Sequence, residues 1–363
     1  MTINIANKEK EKNFFRSMEK GAWDKRLGLN IMFELTYKCN FRCFHCYLQG
    51  SPKGAEELNT KQIFVILDQL REMNIFHVTF TGGEPLMRKD IFKILGYANK
   101  LGLRTGLLTN GSLVDKKAAD ALLNVNVAKV DITLNALDSK IFNKMTGAKN
   151  SLGKVKKAIE MLAKRKIETT IRSTATTLNE SEIPKIEQYA RKLNILHVFD
   201  AEILSCRNGN TSAVKRFSLS VKRVNALTEK VWPERFSSKG KKVASLFLRK
   251  NDHLFECAVG KSAFLITPYG KMNLCLMINY PQYDILSNGL EKCWNKIKKK
   301  VDVLNNTKNL VCIGCEFFKF CNWCPGKSYS ESGNFNRCCE VLKKVAVEAK
   351  NERRRIVWTQ KKF

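Results

Sequence analysis

The chain has 363 residues, 44% hydrophobic and 27% charged, with 64 Lys and Arg against 34 Asp and Glu for a formal charge of +30. That length accommodates a domain of about 200 residues plus a smaller one, each able to bury a core. No apolar run is long enough to span a bilayer, and the opening MTINIANKEKEKNFFRSMEKG lacks the apolar core of a signal peptide, so a membrane span is excluded and a cytoplasmic location is expected.

In a reducing compartment, thirteen cysteines point to metal rather than to disulfides. The positive charge, which includes a basic end at Arg353, Arg354, Arg355, Lys361 and Lys362, favours an acidic partner, either peptide or nucleic acid. Lys-rich and Asn-rich chains commonly reflect genome composition, so specific nucleic-acid binding is not expected.

Residues 1–28 read as an N-terminal extension. From 29 to 210, β-branched apolar runs alternate with amphipathic helical stretches, the pattern of βα units on a parallel sheet. The predicted strands are LNIMFELT, FHVTFTGG, LRTGLLTN, AKVDITLN, IETTIRSTA and ILHVFDAEIL. Between them lie helices such as TKQIFVILDQLREMN, with Ile63, Leu67 and Leu70 on one face, and SLGKVKKAIEMLAKRK. The expected class is α/β, a partial (β/α)6 TIM-like barrel with a small cysteine-rich C-terminal domain. In such sheets the C-terminal strand ends carry the ligand face, and each polar motif here follows a strand.

After the first strand, TYKCNFRCFHCYLQG places Cys39, Cys43 and Cys46 at C-x3-C-x2-C. Three thiolates fill three corners of a [4Fe-4S] cubane, which ordinarily takes four protein ligands, and leave one iron open. Zinc is the alternative for the same spacing. After the second strand comes Thr81-Gly82-Gly83-Glu84-Pro85, where two glycines let backbone approach a ligand and offer their carbonyls. Later strand ends carry Thr109 and Asn110, Asp131 to Asn135 with Thr133, and Arg172 with Ser173. Each of these is also an ordinary polar residue at a strand end.

Residues 211–256 read as a helical bridge. Residues 257–340 form a second module punctuated by cysteine and glycine: Cys257-x12-Gly270-x4-Cys275, Cys312-x2-Cys315-x5-Cys321-x2-Cys324, then Cys338-Cys339. A zinc ribbon of Cys312, Cys315, Cys321 and Cys324 is possible on spacing, but it strands Cys257, Cys275 and the terminal pair. Residues 341–363 are a basic tail.

The first cysteine triad with the Gly-Gly-Glu-Pro turn resembles the radical S-adenosylmethionine (SAM) superfamily. The C-terminal pattern resembles the SPASM extension of its members, and together the two cover about residues 29 to 340. The resemblance implies that SAM completes the open iron through its amino and carboxylate groups. One electron then cleaves its C5′–S bond to give a 5′-deoxyadenosyl radical. It implies adenine beside His45, the SAM amino group at Gly82, Gly83 and Glu84, and ribose or carboxylate contacts from Thr133, Asn135 and Arg172. His45 as a metal ligand is an alternative. Two auxiliary [4Fe-4S] clusters are implied as well. Cys257, Cys275 and Cys324 would hold the nearer one, with Cys206, Cys293 or the spare of the terminal pair available as a fourth ligand, or with one iron open. Cys312, Cys315, Cys321 and either Cys338 or Cys339 would hold the distal one. The x2 spacing before Cys324, where x3 is common, departs from the pattern.

Members of this architecture mostly modify peptides by crosslinking, epimerisation or oxidation. The expected substrate is therefore a peptide or protein, such as an acidic precursor peptide, with flavodoxin or ferredoxin as electron donor. Haem-pathway side-chain oxidation and formylglycine formation are the alternatives. Leu276 stands where sulfatase-maturing relatives carry Asp, which weakens the latter. Two further classes remain open: a non-catalytic iron–sulfur electron carrier and a nucleic-acid-modifying enzyme.

Overall fold

The structure, a computed structural model, describes residues 17, 20–51, 56–233, 254–306, 310–321 and 323–351. The stretch 234–253 of the expected bridge, most of the N-terminal extension and the five named basic residues of the tail lie outside the described residues.

Six strands alternate with helices as the sequence pattern predicts. They are β1 (Asn30–Thr36), β2 (His77–Gly82), β3 (Arg104–Thr109), β4 (Lys129–Thr133), β5 (Thr169–Thr174) and β6 (Leu196–Asp200). The connecting helices are α1 (Thr60–Glu72), α2 (Ile91–Lys100), α3 (Lys116–Asn124), α4 (Ser139–Thr146), α5 (Leu152–Lys164) and α6 (Ile183–Lys192). All neighbouring pairs from β1 to β6 are parallel. Such strands are buried on both faces, which is why they read as apolar runs rather than as strict alternation. Phe33 on β1 and Phe80 on β2 are fully buried with ring centroids 6.1 Å apart, and truncating either to Ala would cost about 3–5 kcal/mol.

Helix boundaries follow local chemistry. Asn59 and Gln62 form a reciprocal capping box at the start of α1, and Ile63, Ile66, Leu67 and Leu70 then face the sheet at i, i+3, i+4 and i+7. Asp115 and Asp138 accept from backbone N–H groups at the starts of α3 and α4. Asn74, Asn126 and Asn194 follow α1, α3 and α6 in the left-handed region, where a short polar side chain ends a helix as glycine would.

Beyond β6 come α7 (Ser212–Phe217) and α8 (Val221–Val231), then β7 (Ala263–Ile266), β8 (Lys271–Asn273) and β9 (Tyr283–Asp284). The glycine-led hairpin forms, with Gly270 at φ +71 in its turn, and its first strand pairs in parallel with β1. The sheet order is β6-β5-β4-β3-β2-β1-β7-β8-β9. The cysteine-rich region thus starts as an extension of the barrel sheet on its β1 edge. The rest of it comprises α9 (Ile285–Asn288), α10 (Leu290–Asn305), α11 (Pro325–Ser332) and α12 (Glu340–Asn351).

Several contacts fasten this region to the barrel. Gln69 of α1 accepts from the Leu290 N–H at 2.6 Å, Arg26 forms a two-pronged pair with Asp302 of α10, and Glu348 of α12 accepts from the Val221 N–H at the start of α8. The last of these puts a carboxylate at a helix N-terminus, where the dipole favours it. No helix among the described residues is long and apolar enough to cross a membrane.

Candidate active site

At the end of β1 the chain turns across the barrel mouth, and the two glycines at the end of β2, Gly82 and Gly83, seat it there. A Cβ on Gly82, at φ +133, would lie 2.2 Å from the Thr36 oxygen, and one on Gly83 would lie 2.3 Å from the Lys38 oxygen and 3.0 Å from the Cys39 Cβ. The Gly83 N–H donates to Thr36 O at 2.8 Å and the Glu84 N–H to Lys38 O at 2.9 Å. The missing side chains therefore admit the cysteine loop itself. At its far side Arg42 and Phe44 donate backbone N–H groups to Thr146 and Met145 at the end of α4.

Cys39, Cys43 and Cys46 converge in this loop. Burial pushes all three thiols up, and Cys43, crowded by Cys46 and Cys39, reaches about 12. Such thiols stay protonated until a cationic partner takes the proton's place. Among the described residues no three His, Cys, Asp or Glu side chains are placed to hold a single ion. Three thiols from one loop are the donor set of a cubane that takes one thiolate per iron.

Glu84 turns inward. Fully buried, it accepts from Thr109 Oγ1 and the Asn110 N–H at 2.7 Å and from the Leu86 N–H at 3.0 Å. Its carboxylate braces the end of β3, which brings the Asn110 amide to 3.9 Å from Cys39 Sγ. Thr109 and Asn110 thus belong to the frame of the cysteine loop.

The His45 ring packs edge-on against Phe44, centroids 5.0 Å apart, and its Nδ1 is buried without a hydrogen-bond partner. Burial pulls its pKa down to about 4, so the ring is neutral. A neutral ring with an orphaned nitrogen at this edge fits a planar heterocycle better than it fits a finished protein core. Asn135 offers a second orphan: its Oδ1 accepts from the Thr174 N–H at 2.8 Å, while Nδ2 is buried unpaired. Thr133 is half-buried beside Arg172 in the β4–β5 register. Arg172, expected to face a ligand carboxylate, pairs with Asp131 of β4 at 2.7 Å. Pattern reading missed Asn179, which is buried and donates to Asn135 O and Thr174 O, tying the ends of β4 and β5 together.

The second cysteine set gathers from three distant segments. Burial pushes Cys275 and Cys324 up to about 12, with Cys257 acting on Cys275 and both Cys257 and Cys275 acting on Cys324. Cys324 stands at the N-cap of α11, directly before Pro325 in its first turn. Cys206 instead turns to the first loop, 3.7 Å from Cys46 O, and Cys293 donates within the core to Asp284 O.

Successive backbone turns link Cys312, Cys315, Phe318 and Cys321. The Val311 N–H donates to Asn336, which places the Cys338-Cys339 segment alongside. Of that pair, Cys338 is exposed, whereas Cys339 is buried, donates to Glu331 at 3.0 Å and is pushed up to about 12 by burial and that carboxylate.

A charged cluster absent from the sequence reading joins α11 to the end of β6. Lys327 of α11 pairs with Glu202, just beyond β6. Burial pulls Lys327 down to about 8 and raises Asp200 to about 6, against the nearby charges of Lys327 and Arg172. A Ser–His–Glu chain, Ser173 to His197 to Glu187, also exists, but the Ser173 hydroxyl is buried on Leu134 O at 2.5 Å and serves to join β4 to β5.

Residues 33–190 match the model of the Radical SAM superfamily. The chain is 30% identical over 157 residues to Fe-coproporphyrin III synthase of Methanosarcina barkeri, covering 43% of this chain and 39% of that protein. It is 30% identical over 175 residues to the subtilosin biosynthesis protein AlbA of Bacillus subtilis, covering 48% and 39%. The matches thus span about two-fifths of the length of these curated relatives. Among solved structures, Streptococcus suis SuiB bound to precursor peptide SuiA shares the fold, with a TM-score of 0.68 at 17% identity over 88% of this chain and 76% of SuiB. The triad loop, the Gly82-Gly83 seat and strands β2 to β5 all lie in the matched stretch, and that stretch, residues 33–190, is a radical SAM domain.

Proposed function

We propose that the chain is a radical SAM enzyme with a SPASM-type auxiliary region that abstracts hydrogen from a peptide or protein and thereby matures it. The observation that carries this reading is the placement of two separate three-cysteine sets, Cys39/Cys43/Cys46 and Cys257/Cys275/Cys324, with the Lys327–Glu202 pair and Asp200 between the barrel and α11. When bound and reduced, a [4Fe-4S] cluster on the first set supplies the electron that cleaves SAM.

The chain's own residues would do the rest. Cys39, Cys43 and Cys46 would hold three irons; neutral His45 and the Asn135 amide would give a heterocycle and a polar ligand group their partners. Asp200, with its pKa raised to about 6, and Lys327, lowered to about 8, can take or return a proton near neutral pH. Cys257, Cys275 and Cys324 would hold the nearer auxiliary cluster. Cys312, Cys315, Cys321 and Cys338 would hold the distal one, since Cys339 is bonded to Glu331. A peptide substrate is supported by the fold shared with SuiB in its complex with a precursor peptide and by the basic charge. Reduction by flavodoxin or ferredoxin and a cytoplasmic location accord with it.

Anaerobic reconstitution with iron and sulfide, followed by dithionite and SAM, should yield 5′-deoxyadenosine, and Cys43→Ala should abolish it. A reconstituted chain that binds iron but never forms 5′-deoxyadenosine, with or without candidate substrates, defeats the enzyme reading. The similarity to Fe-coproporphyrin III synthase favours one second reading, oxidation of tetrapyrrole side chains. Stimulation of 5′-deoxyadenosine formation by an iron porphyrin carrying propionates, and not by peptide, would select it.

A further inference from the structure

The segment between β6 and α7 meets three parts of the molecule at once. A Cβ on Gly50, just past the first cysteine loop, would lie 2.5 Å from the Asn208 Cβ, and one on Gly209 would lie 3.3 Å from Ser330 O of α11. Arg207 sits at the centre of this junction. Its backbone N–H donates to Tyr47 O, one residue past Cys46, and its Nε donates to Leu276 O, one residue past Cys275. Its Nη2 grips both oxygens of Glu34 at 2.8 and 2.9 Å, and its Nη1 bonds the Tyr37 hydroxyl.

Glu34 is fully buried on β1 and also accepts from Tyr37 and Tyr47, the residues that bracket the first cysteine loop. The guanidinium stands 5.1 and 5.4 Å from those two ring centroids. Burial works against the Arg207 charge, but Glu34 and the two tyrosines hold it protonated.

We propose that Arg207 is a positioning residue common to the two cysteine sites, clamping the Cys39–Cys46 loop to the turn after Cys275 and setting the reduction potentials of both sites together. The inference rests on the cluster reading above. Arg207 is fixed against Tyr47 and Leu276, one residue beyond Cys46 and one residue beyond Cys275, where a buried cation favours the added electron on either cluster, and the planar fork is what lets one side chain hold Glu34, Tyr37 and Leu276 simultaneously. Lysine would keep the charge and lose the fork.

The test uses the full chain as Arg207→Lys and as the double variant Glu34→Gln with Arg207→Met, which avoids stranding a buried carboxylate. In the double variant, the reduced-to-oxidised ratio at fixed potential should fall about tenfold at both clusters, 59 mV for one electron, read by EPR-monitored titration. Arg207→Lys should hold both ratios within about threefold of wild type. A shift at one site only, or at neither, overturns the proposal. On the iron-free chain, Arg207→Lys should speed backbone hydrogen exchange in both 37–47 and 274–279. Unchanged protection in either segment overturns the clamp, and this arm stands even where the double variant does not fold. A wild-type chain that takes up no iron overturns the cluster reading instead, and the exchange measurement then decides the clamp alone.

Discussion

Replacing Gly83 by Ala tests whether the two glycines exist to seat the cysteine loop. The new Cβ would stand 2.3 Å from Lys38 O and 2.8 Å from Lys38 C, inside the 3.0 Å that real Cβ contacts keep. Both atoms are backbone, so no flexible side-chain end can yield. The strand end or the loop must shift, stretching the Gly83 to Thr36 and Glu84 to Lys38 hydrogen bonds that hold the first cysteine in place. Overpacking of this kind costs about 2 kcal/mol, or roughly 4–8 °C in Tm. Because Cys39 follows Lys38 directly, the larger effect falls on the cluster: iron uptake by the first site should drop well beyond what the Tm change alone would cause. The assay is iron content and visible absorbance after anaerobic reconstitution, with Tm on the iron-free chain. Gly153→Ala is the control, since nothing lies within 4 Å of its Cβ in α5 and it should be neutral or gain up to about 1 kcal/mol. A Gly83→Ala chain with wild-type Tm and full iron would refute the steric argument.

Other perturbations follow from the same geometry. Glu84→Ala leaves the Thr109 hydroxyl and the Asn110 and Leu86 N–H groups without their acceptor and should cost about 3 kcal/mol or more, measured by denaturant unfolding, even in iron-free protein; an unchanged midpoint would return Glu84 to a ligand-facing role. His77, with its pKa pulled from 6.5 to about 4 by burial and then by Arg104 and Lys129, is neutral in the fold and protonates more readily when unfolded. Stability should therefore fall as pH drops from 6.5 to 4, by about 3 kcal/mol in all, and His77→Gln should flatten that slope. Three cubanes predict about twelve irons per chain. Cys338→Ala should lower that count while Cys339→Ala, Cys206→Ala and Cys293→Ala leave it intact; loss of iron from Cys339→Ala with retention in Cys338→Ala would reverse the assignment of the pair.

The sequence by itself determined the six βα units, because parallel strands buried on both faces and helices with one apolar face leave a period readable along the chain, as Ile63, Leu67 and Leu70 do. It also located the cysteine sets, since spacing within a loop is a local property. What it could not carry was direction. Whether Gly82 and Gly83 face a ligand or the Thr36–Cys39 backbone, whether Glu84 points outward or into β3, and whether Arg172 is free or held by Asp131 depend on side chains from different strands meeting at one end of the barrel. The junction at Arg207 is the extreme case. Its partners Glu34, Tyr47 and Leu276 lie up to 173 residues away in sequence, share no motif, and come together only because β1, the β6–α7 segment and the turn after Cys275 pack at the same mouth. The attachment of β7 to β1 was equally invisible, for an unpaired strand edge on β1 records nothing in the sequence about which later strand will cover it.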